Sequence, residues 1–245
     1  KILKTKLNIS FDYVINAGGY GNHPEFGDSG DLLINNHFQG LINLLKVLKL
    51  KKIKKFIQIG SSLEYGNTKS AVKESSICTP LTPYAIAKFL CTKHLKSLFE
   101  KKKFPVTIFR LFQVYGPKQD NNRIIPFLIQ NCLKNKKFFT TKGDQICDFC
   151  HIEDVVDAIF KSINNKKTNG QILNIGSGKP IKIKQIIKLV LKKVGSGKPM
   201  IGKLNYKKGI NKYNFPNILK AKKILKWKPK INIEYGISKT IKSFK

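Results

Sequence analysis

Tyr84 stands four residues before Lys88 in the segment LTPYAIAK, just behind a proline suited to open a helix. On a helix this spacing puts both side chains on one face, one turn apart. A free phenol, with a pKa of about 10, is a weak base at neutral pH. An ammonium about 4 Å away, at an effective dielectric near 20, stabilises phenolate by roughly 4 kcal/mol, or about three pKa units. That brings a tyrosine into the range where general acid–base catalysis works best. Lysine is abundant here, however, and Tyr65–Lys69 and Tyr235–Lys239 repeat the spacing. Spacing alone does not choose among the three.

Context has to decide, and the elements around Tyr84 supply part of it. The apolar runs YVINAG (13–18), IKKFIQIG (53–60) and VTIFRLF (106–112) read as buried strands, separated by a helical pattern through LLINNHFQGLINLLKVLKL and another from about Pro83 to Lys102. Thr82 is the expected N-cap of the second helix. Strands alternating with helices of this length imply right-handed parallel crossovers, and so an α/β doubly wound parallel sheet. Ligands bind such sheets at the carboxyl ends of the strands. There lie Ser61 and Ser62, the glycines Gly18 and Gly19, whose lack of a side chain admits a close ligand, and the start of the helix bearing Tyr84. Further helices are expected near 124–134, 153–164, 182–193, 216–226 and 233–243, with short strands at KFFTT and QILNIG. The twice-occurring GSGKP lacks the upstream glycine and the Ser or Thr of a phosphate-binding loop, and its second copy reads as a helix stop.

Composition narrows the class. At 245 residues and 41% hydrophobic content the chain can bury a sizeable core. No apolar run approaches the roughly 20 residues of a membrane helix, and no secretory signal is evident, so the expected address is cytoplasmic with no membrane partner. The formal charge of +33 suggests polyanion adhesion, but only Arg110 and Arg123 are arginines and the lysines are dispersed, which argues against specific nucleic-acid readout. Five scattered cysteines read as reduced thiols. His23, His37, His94 and His151 read as surface or packing residues, and no metal is expected.

The chain resembles the NAD-dependent epimerase/dehydratase group of extended short-chain dehydrogenase/reductases, which act on nucleotide sugars. The resemblance runs in order through DYVINAGG, NNHFQGLINLL, SSLEYGN, TPYAIAK, FRLFQVYGP, DFCHIEDVVDAI, LNIGSGKPIKIKQII and the stretch from Phe215 to the C-terminus. It implies a Rossmann-type fold with a smaller C-terminal substrate-binding subdomain. Residues 1–116 would be the later part of the NAD(P)-binding domain and 117–245 mainly the substrate-binding subdomain, with 152–176 returning to the first. It implies a catalytic set of Ser61, Tyr84 and Lys88. Cofactor contacts, to NAD or NADP, would come from Ala17, Gly18, Gly19, Asn36, Tyr84 and Lys88, and contacts to a nucleotide-sugar substrate from Ser62, Gln113, Arg123 and Ile124. It also implies a homodimer through the helices containing residues 36–45 and 84–98.

The resemblance implies chemistry at a sugar C4: the tyrosine takes or gives a hydroxyl proton while hydride passes to or from the nicotinamide. Relatives that eliminate water carry an acidic pair directly after the Ser/Thr position. Ser62 and Leu63 stand there instead, which disfavours a 4,6-dehydratase and leaves a 4-epimerase or a 4-keto reductase. Two departures matter. YVINAGG resembles the family's fourth strand, so the first βαβαβ unit, with its glycine-rich turn, is expected to be missing; an exposed sheet edge and poor solubility would follow. Cys147 stands where a substrate-binding arginine is expected, and Arg123 is the candidate replacement. Asp148 is expected to be structural. The alternative from another class is a non-catalytic remnant acting as a polyanion-binding scaffold.

Overall fold

The computed structural model describes residues 10–19, 24–206 and 211–244; His23 falls outside them. The first half runs β1 (Tyr13–Asn16), α1 (Asp28–Val47), β2 (Lys55–Ser61), α2 (Pro83–Lys102) and β3 (Val106–Leu111). The chain continues through β4 (Gln113–Tyr115), α3 (Ile124–Leu133), β5 (Lys137–Thr140), β6 (Ile146–His151), α4 (Ile152–Ile163), β7 (Gln171–Ile175), β8 (Pro180–Lys182), α5 (Ile183–Val194), β9 (Lys198–Ile201), β10 (Tyr213–Asn214), α6 (Leu219–Leu225) and α7 (Ile233–Lys242).

The main sheet is parallel throughout, in the order β1-β2-β3-β7, so residues 171–175 return to it after the excursion through β4 to α4. Its central strands are buried on both faces, which is why they read as continuous apolar runs. Alternate residues then serve different layers: Phe56 and Ile108 pack with Leu41, Leu45 and Leu95 of α1 and α2, whereas Ile57 and Phe109 pack with Val155, Ala158 and Trp227. A second sheet, β10-β6-β4 with β8 antiparallel to β6, lies by a core built from α3, α5 and α7. Among the described residues β1 has a neighbour on one side only, and Tyr13 and Ile15 are 46% and 47% exposed.

Local signals account for the element ends. Thr82 Oγ1 accepts the Ala85 N–H at 3.2 Å and Pro83 occupies the first turn, so α2 begins where the cap and the proline place it. Gly195, the first glycine of the second GSGKP copy, ends α5 in the left-handed conformation. The first copy wraps the buried Asp148, whose carboxylate accepts the backbone N–H groups of Ser177 and Lys179. Asp148 is therefore a loop clamp.

One further buried charge sits at the start of β2. The Lys55 ammonium donates to Thr168 Oγ1 (2.8 Å), Asn165 O (3.1 Å), Thr107 Oγ1 (3.5 Å) and Asn169 Oδ1. It ties β2 and β3 to the turn that follows α4.

Candidate active site

Strand β2 delivers Ser61 to its carboxyl end, where the chain turns at once into a 3₁₀ turn over residues 62–65. A reciprocal cap fixes this turn: Ser61 Oγ accepts the Leu63 N–H at 3.2 Å, and Glu64 Oε1 accepts the Ser61 N–H at 2.9 Å. Helix α2 enters above it with Tyr84 in its first turn and Lys88 one turn on, and the Ser61 hydroxyl lies near enough to the Tyr84 phenol to draw its pKa down. The Lys88 ammonium is buried, donates to Ile59 O at 3.1 Å and lies 5.7 Å from the centre of the Tyr84 ring.

The electrostatics differ from the simple two-charge expectation. Burial holds the Tyr84 phenol above its ordinary value; the Ser61 hydroxyl and the charge of Arg123 draw it down, and Glu64 pushes it up. Burial also lowers the Lys88 ammonium, against the raising effects of Cys91 and Glu64. The cation donates to a backbone carbonyl, and desolvation is the largest influence on the phenol.

His37 enters the site from α1, a contact that its reading as a packing residue did not anticipate. Its ring meets the Tyr84 ring edge to face at 5.7 Å. It also lies flat against Gly19, where a Cβ would come within 2.2 Å of His37 Cε1 and where φ is +144°. Only glycine fits that position. Asn36, its neighbour, faces outward and is exposed. Ala17 and Gly18 are also exposed, just past the end of β1, and Gly18 N–H donates to Asn16 Oδ1 at 3.3 Å.

Among the substrate-side candidates, Arg123 caps α3 near enough for its charge to act on Tyr84. Ile124 begins α3 and packs on the second core, Gln113 is half-buried on β4, and Ser62 is buried in the 3₁₀ turn. Cys147 is buried in β6, its thiol pushed up to about 11 by burial, so it supplies no charge. The rival pairs have other duties. Tyr65 is buried, donates to Asn174 Oδ1 at 2.7 Å and is pushed up to about 12, while Lys69 is exposed. Tyr235 is 59% exposed, and Lys239 pairs with Glu153. Among the described residues no three metal-ligating side chains cluster, and no helix is long and apolar enough to cross a membrane.

A parallel sheet carrying a serine at one strand tip under a helix with a tyrosine and a lysine defines a Rossmann-type α/β fold. Residues 3–176 match the NAD dependent epimerase/dehydratase family, and the chain belongs to it. It is 31% identical over 212 residues to a UDP-glucuronate 4-epimerase of Thermodesulfobacterium geofontis, covering 85% of this chain and 64% of the relative. Human dTDP-D-glucose 4,6-dehydratase is 32% identical over 203 residues, covering 79% of this chain and 57% of the relative. The chain thus spans less than two thirds of either relative. The crystal structure of the Bacillus cereus UDP-glucuronic acid 4-epimerase, in complex with UDP-glucuronic acid and NAD, superposes with a TM-score of 0.88 at 27% identity, over 95% of this chain and 74% of that one.

Proposed function

We propose that this chain carries the acid–base centre of an NAD(P)-dependent nucleotide-sugar 4-epimerase, with Tyr84 as the proton-transferring residue. The observation that carries the reading is the convergence of Ser61, Tyr84 and Lys88 at the carboxyl end of β2. The bare backbone of Gly18 and Gly19, beside His37 and Tyr84, fits the close approach of a flat dinucleotide ring. Such a cofactor supplies the hydride acceptor and donor. The protein's own part is to hold the sugar hydroxyl against Ser61 and Tyr84, to take its proton on the phenol oxygen and to return it. Lys88 favours the phenolate and offers its ammonium to a ribose hydroxyl. Arg123 supplies a positive charge for the substrate's phosphates, where Cys147 cannot.

An epimerase is favoured over a dehydratase by the state of the acidic groups. Loss of water from the 4-keto sugar, a proton from C5 and the hydroxyl from C6, needs a carboxyl group free to protonate the leaving hydroxyl. Ser62 and Leu63 offer none. Glu64, the nearest carboxylate in sequence, is fully buried and committed to Ser61 and Arg110. The test is to incubate the purified chain, alone and beside a form extended upstream by a glycine-rich βαβαβ unit, with NAD and UDP-glucuronic acid and to resolve the C4 epimers. Interconversion without net cofactor reduction is expected, with Tyr84→Phe losing about 10³-fold in kcat at nearly unchanged stability. Stoichiometric consumption of reduced cofactor by a 4-keto sugar would instead identify a reductase. Undiminished turnover in Tyr84→Phe would overturn the assignment of Tyr84.

A further inference from the structure

Behind the site lies a buried ion pair that the chemistry above does not use. Glu64 is 0% and Arg110 2% exposed, and Arg110 Nε donates to Glu64 Oε2 at 2.9 Å. The other carboxylate oxygen accepts the Ser61 N–H at 2.9 Å. The guanidinium lies over the Tyr65 ring, 4.5 Å from its centre, and Tyr65 in turn donates to Asn174 on β7. Gly60 makes room for the arrangement, since a Cβ there would come 2.7 Å from Glu64 Oε1.

A buried pair of this kind contributes little net stability compared with well-packed apolar side chains, because both ions lose their hydration. One terminal nitrogen of Arg110 even lacks a hydrogen-bond partner among the described residues. The consequence of the pair therefore lies in what it holds. Its carboxylate fixes the backbone of Ser61, whose hydroxyl accepts the Leu63 N–H and stands near the Tyr84 phenol.

We propose that Glu64, neutralised by Arg110, is a positioning residue that holds Ser61 in hydrogen-bonding register with Tyr84; this rests on the reading of Tyr84 as the acid/base. Glu64 touches no reacting atom, and it acts in two separable ways. As an acceptor it anchors Ser61, and the Ser61 hydroxyl favours the phenolate. As a negative charge it disfavours the phenolate directly.

The two actions have opposite signs, which makes the proposal testable without turnover. The probe is protein carrying tyrosine labelled with carbon-13 at the phenol carbon, with the Tyr84 resonance identified by its loss in Tyr84→Phe. Glu64→Gln keeps an acceptor for Ser61 but removes the charge, so Tyr84 should titrate about one pH unit lower. The double variant Glu64→Ala with Arg110→Met removes both charges and the acceptor, leaves an apolar site that folds, and should move Tyr84 upward. In turnover assays the double variant should lower kcat with KM nearly constant. A Tyr84 titration unmoved in both, or moved the same way in both, overturns the proposal. If the titrations shift as expected while Tyr84→Phe remains active, the positioning role stands and the reading of Tyr84 as acid/base fails. Where Glu64→Gln does not fold, the upward shift in the double variant decides alone, and its absence refutes the role.

Discussion

Strand β2 is flanked by two buried ammonium groups, one at each end, and they are built differently. Lys55, 2% exposed at the amino end, is surrounded by four oxygen acceptors from β3 and from the turn after α4. Lys88, 4% exposed at the carboxyl end, donates to the single carbonyl of Ile59 and shares its surroundings with a phenol. The first is an ammonium whose lost water has been replaced by protein oxygens. The second keeps donor capacity to spare beside the surface where a ligand would arrive. A buried cation with every proton committed pins structure, whereas one with protons in hand can act on a neighbour or a ligand.

The sharpest way to break this comparison is to remove each charge in turn. Lys88→Met should lower kcat by about 10³-fold, since the phenolate loses its cation and the ribose its donor. Its stability should hold or rise by about 1–2 kcal/mol, because an apolar side chain of similar volume replaces a poorly solvated ion. Urea unfolding beside the epimer assay measures both. A Lys88→Met protein that is strongly destabilised would make Lys88 a pin like Lys55.

Lys55→Met should do the reverse. It takes the donor from Asn169 Oδ1 and Thr107 Oγ1, while Thr168 Oγ1 still accepts from Thr107 and Asn165 O from Thr168, at a cost of about 1–3 kcal/mol in urea unfolding. The NAD-dependent rate of the fraction that remains folded should be unchanged, as Lys55 lies at the opposite end of the strand from Ser61. A loss of under about 1 kcal/mol would mean that the four oxygens do not hold the ammonium.

The contrast also explains which features could be read from the amino-acid order. Helix α2 was legible to the residue because its signals are local: Thr82 caps, Pro83 starts, and Tyr84 and Lys88 fall one turn apart. The helix stop at Gly195 is local in the same way. The acceptors of Lys55 lie 52 to 114 residues away in the chain, and Glu64 meets Arg110 across 46 residues. No periodicity or cap encodes such meetings, and one lysine among many gave no sign of burial. His37 was hidden for the same reason, since its contacts to Gly19 and Tyr84 exist only once α1 packs against α2. Burial, which no local pattern records, opposes the expected drop in the Tyr84 pKa, and although the helix puts Lys88 on the expected face, its ammonium donates to a carbonyl of β2.

The smallest effect concerns pH, and it tests how completely four oxygens replace water. Burial pushes the Lys55 ammonium down to about 8 from an ordinary 10.5. Between those values the folded protein then binds fewer protons at this site than the unfolded chain, so the site's contribution to stability rises with pH. The contribution is complete above 10.5 and is lost as pH falls through about 8. The buried thiols of Cys91 and Cys147, each pushed up to about 11, act in the opposite sense over much of the same range, because the unfolded chain releases their protons first. The wild-type curve alone would therefore mix the two. Subtracting the unfolding free energy of Lys55→Met from that of the wild type cancels the thiols and leaves Lys55. That difference should grow between pH 8 and 10 by up to about 1.4 kcal/mol per unit. A flat difference would show that Thr107, Asn165, Thr168 and Asn169 solvate the ammonium as well as water does, and the distinction between the two ends of β2 would then be sharper still.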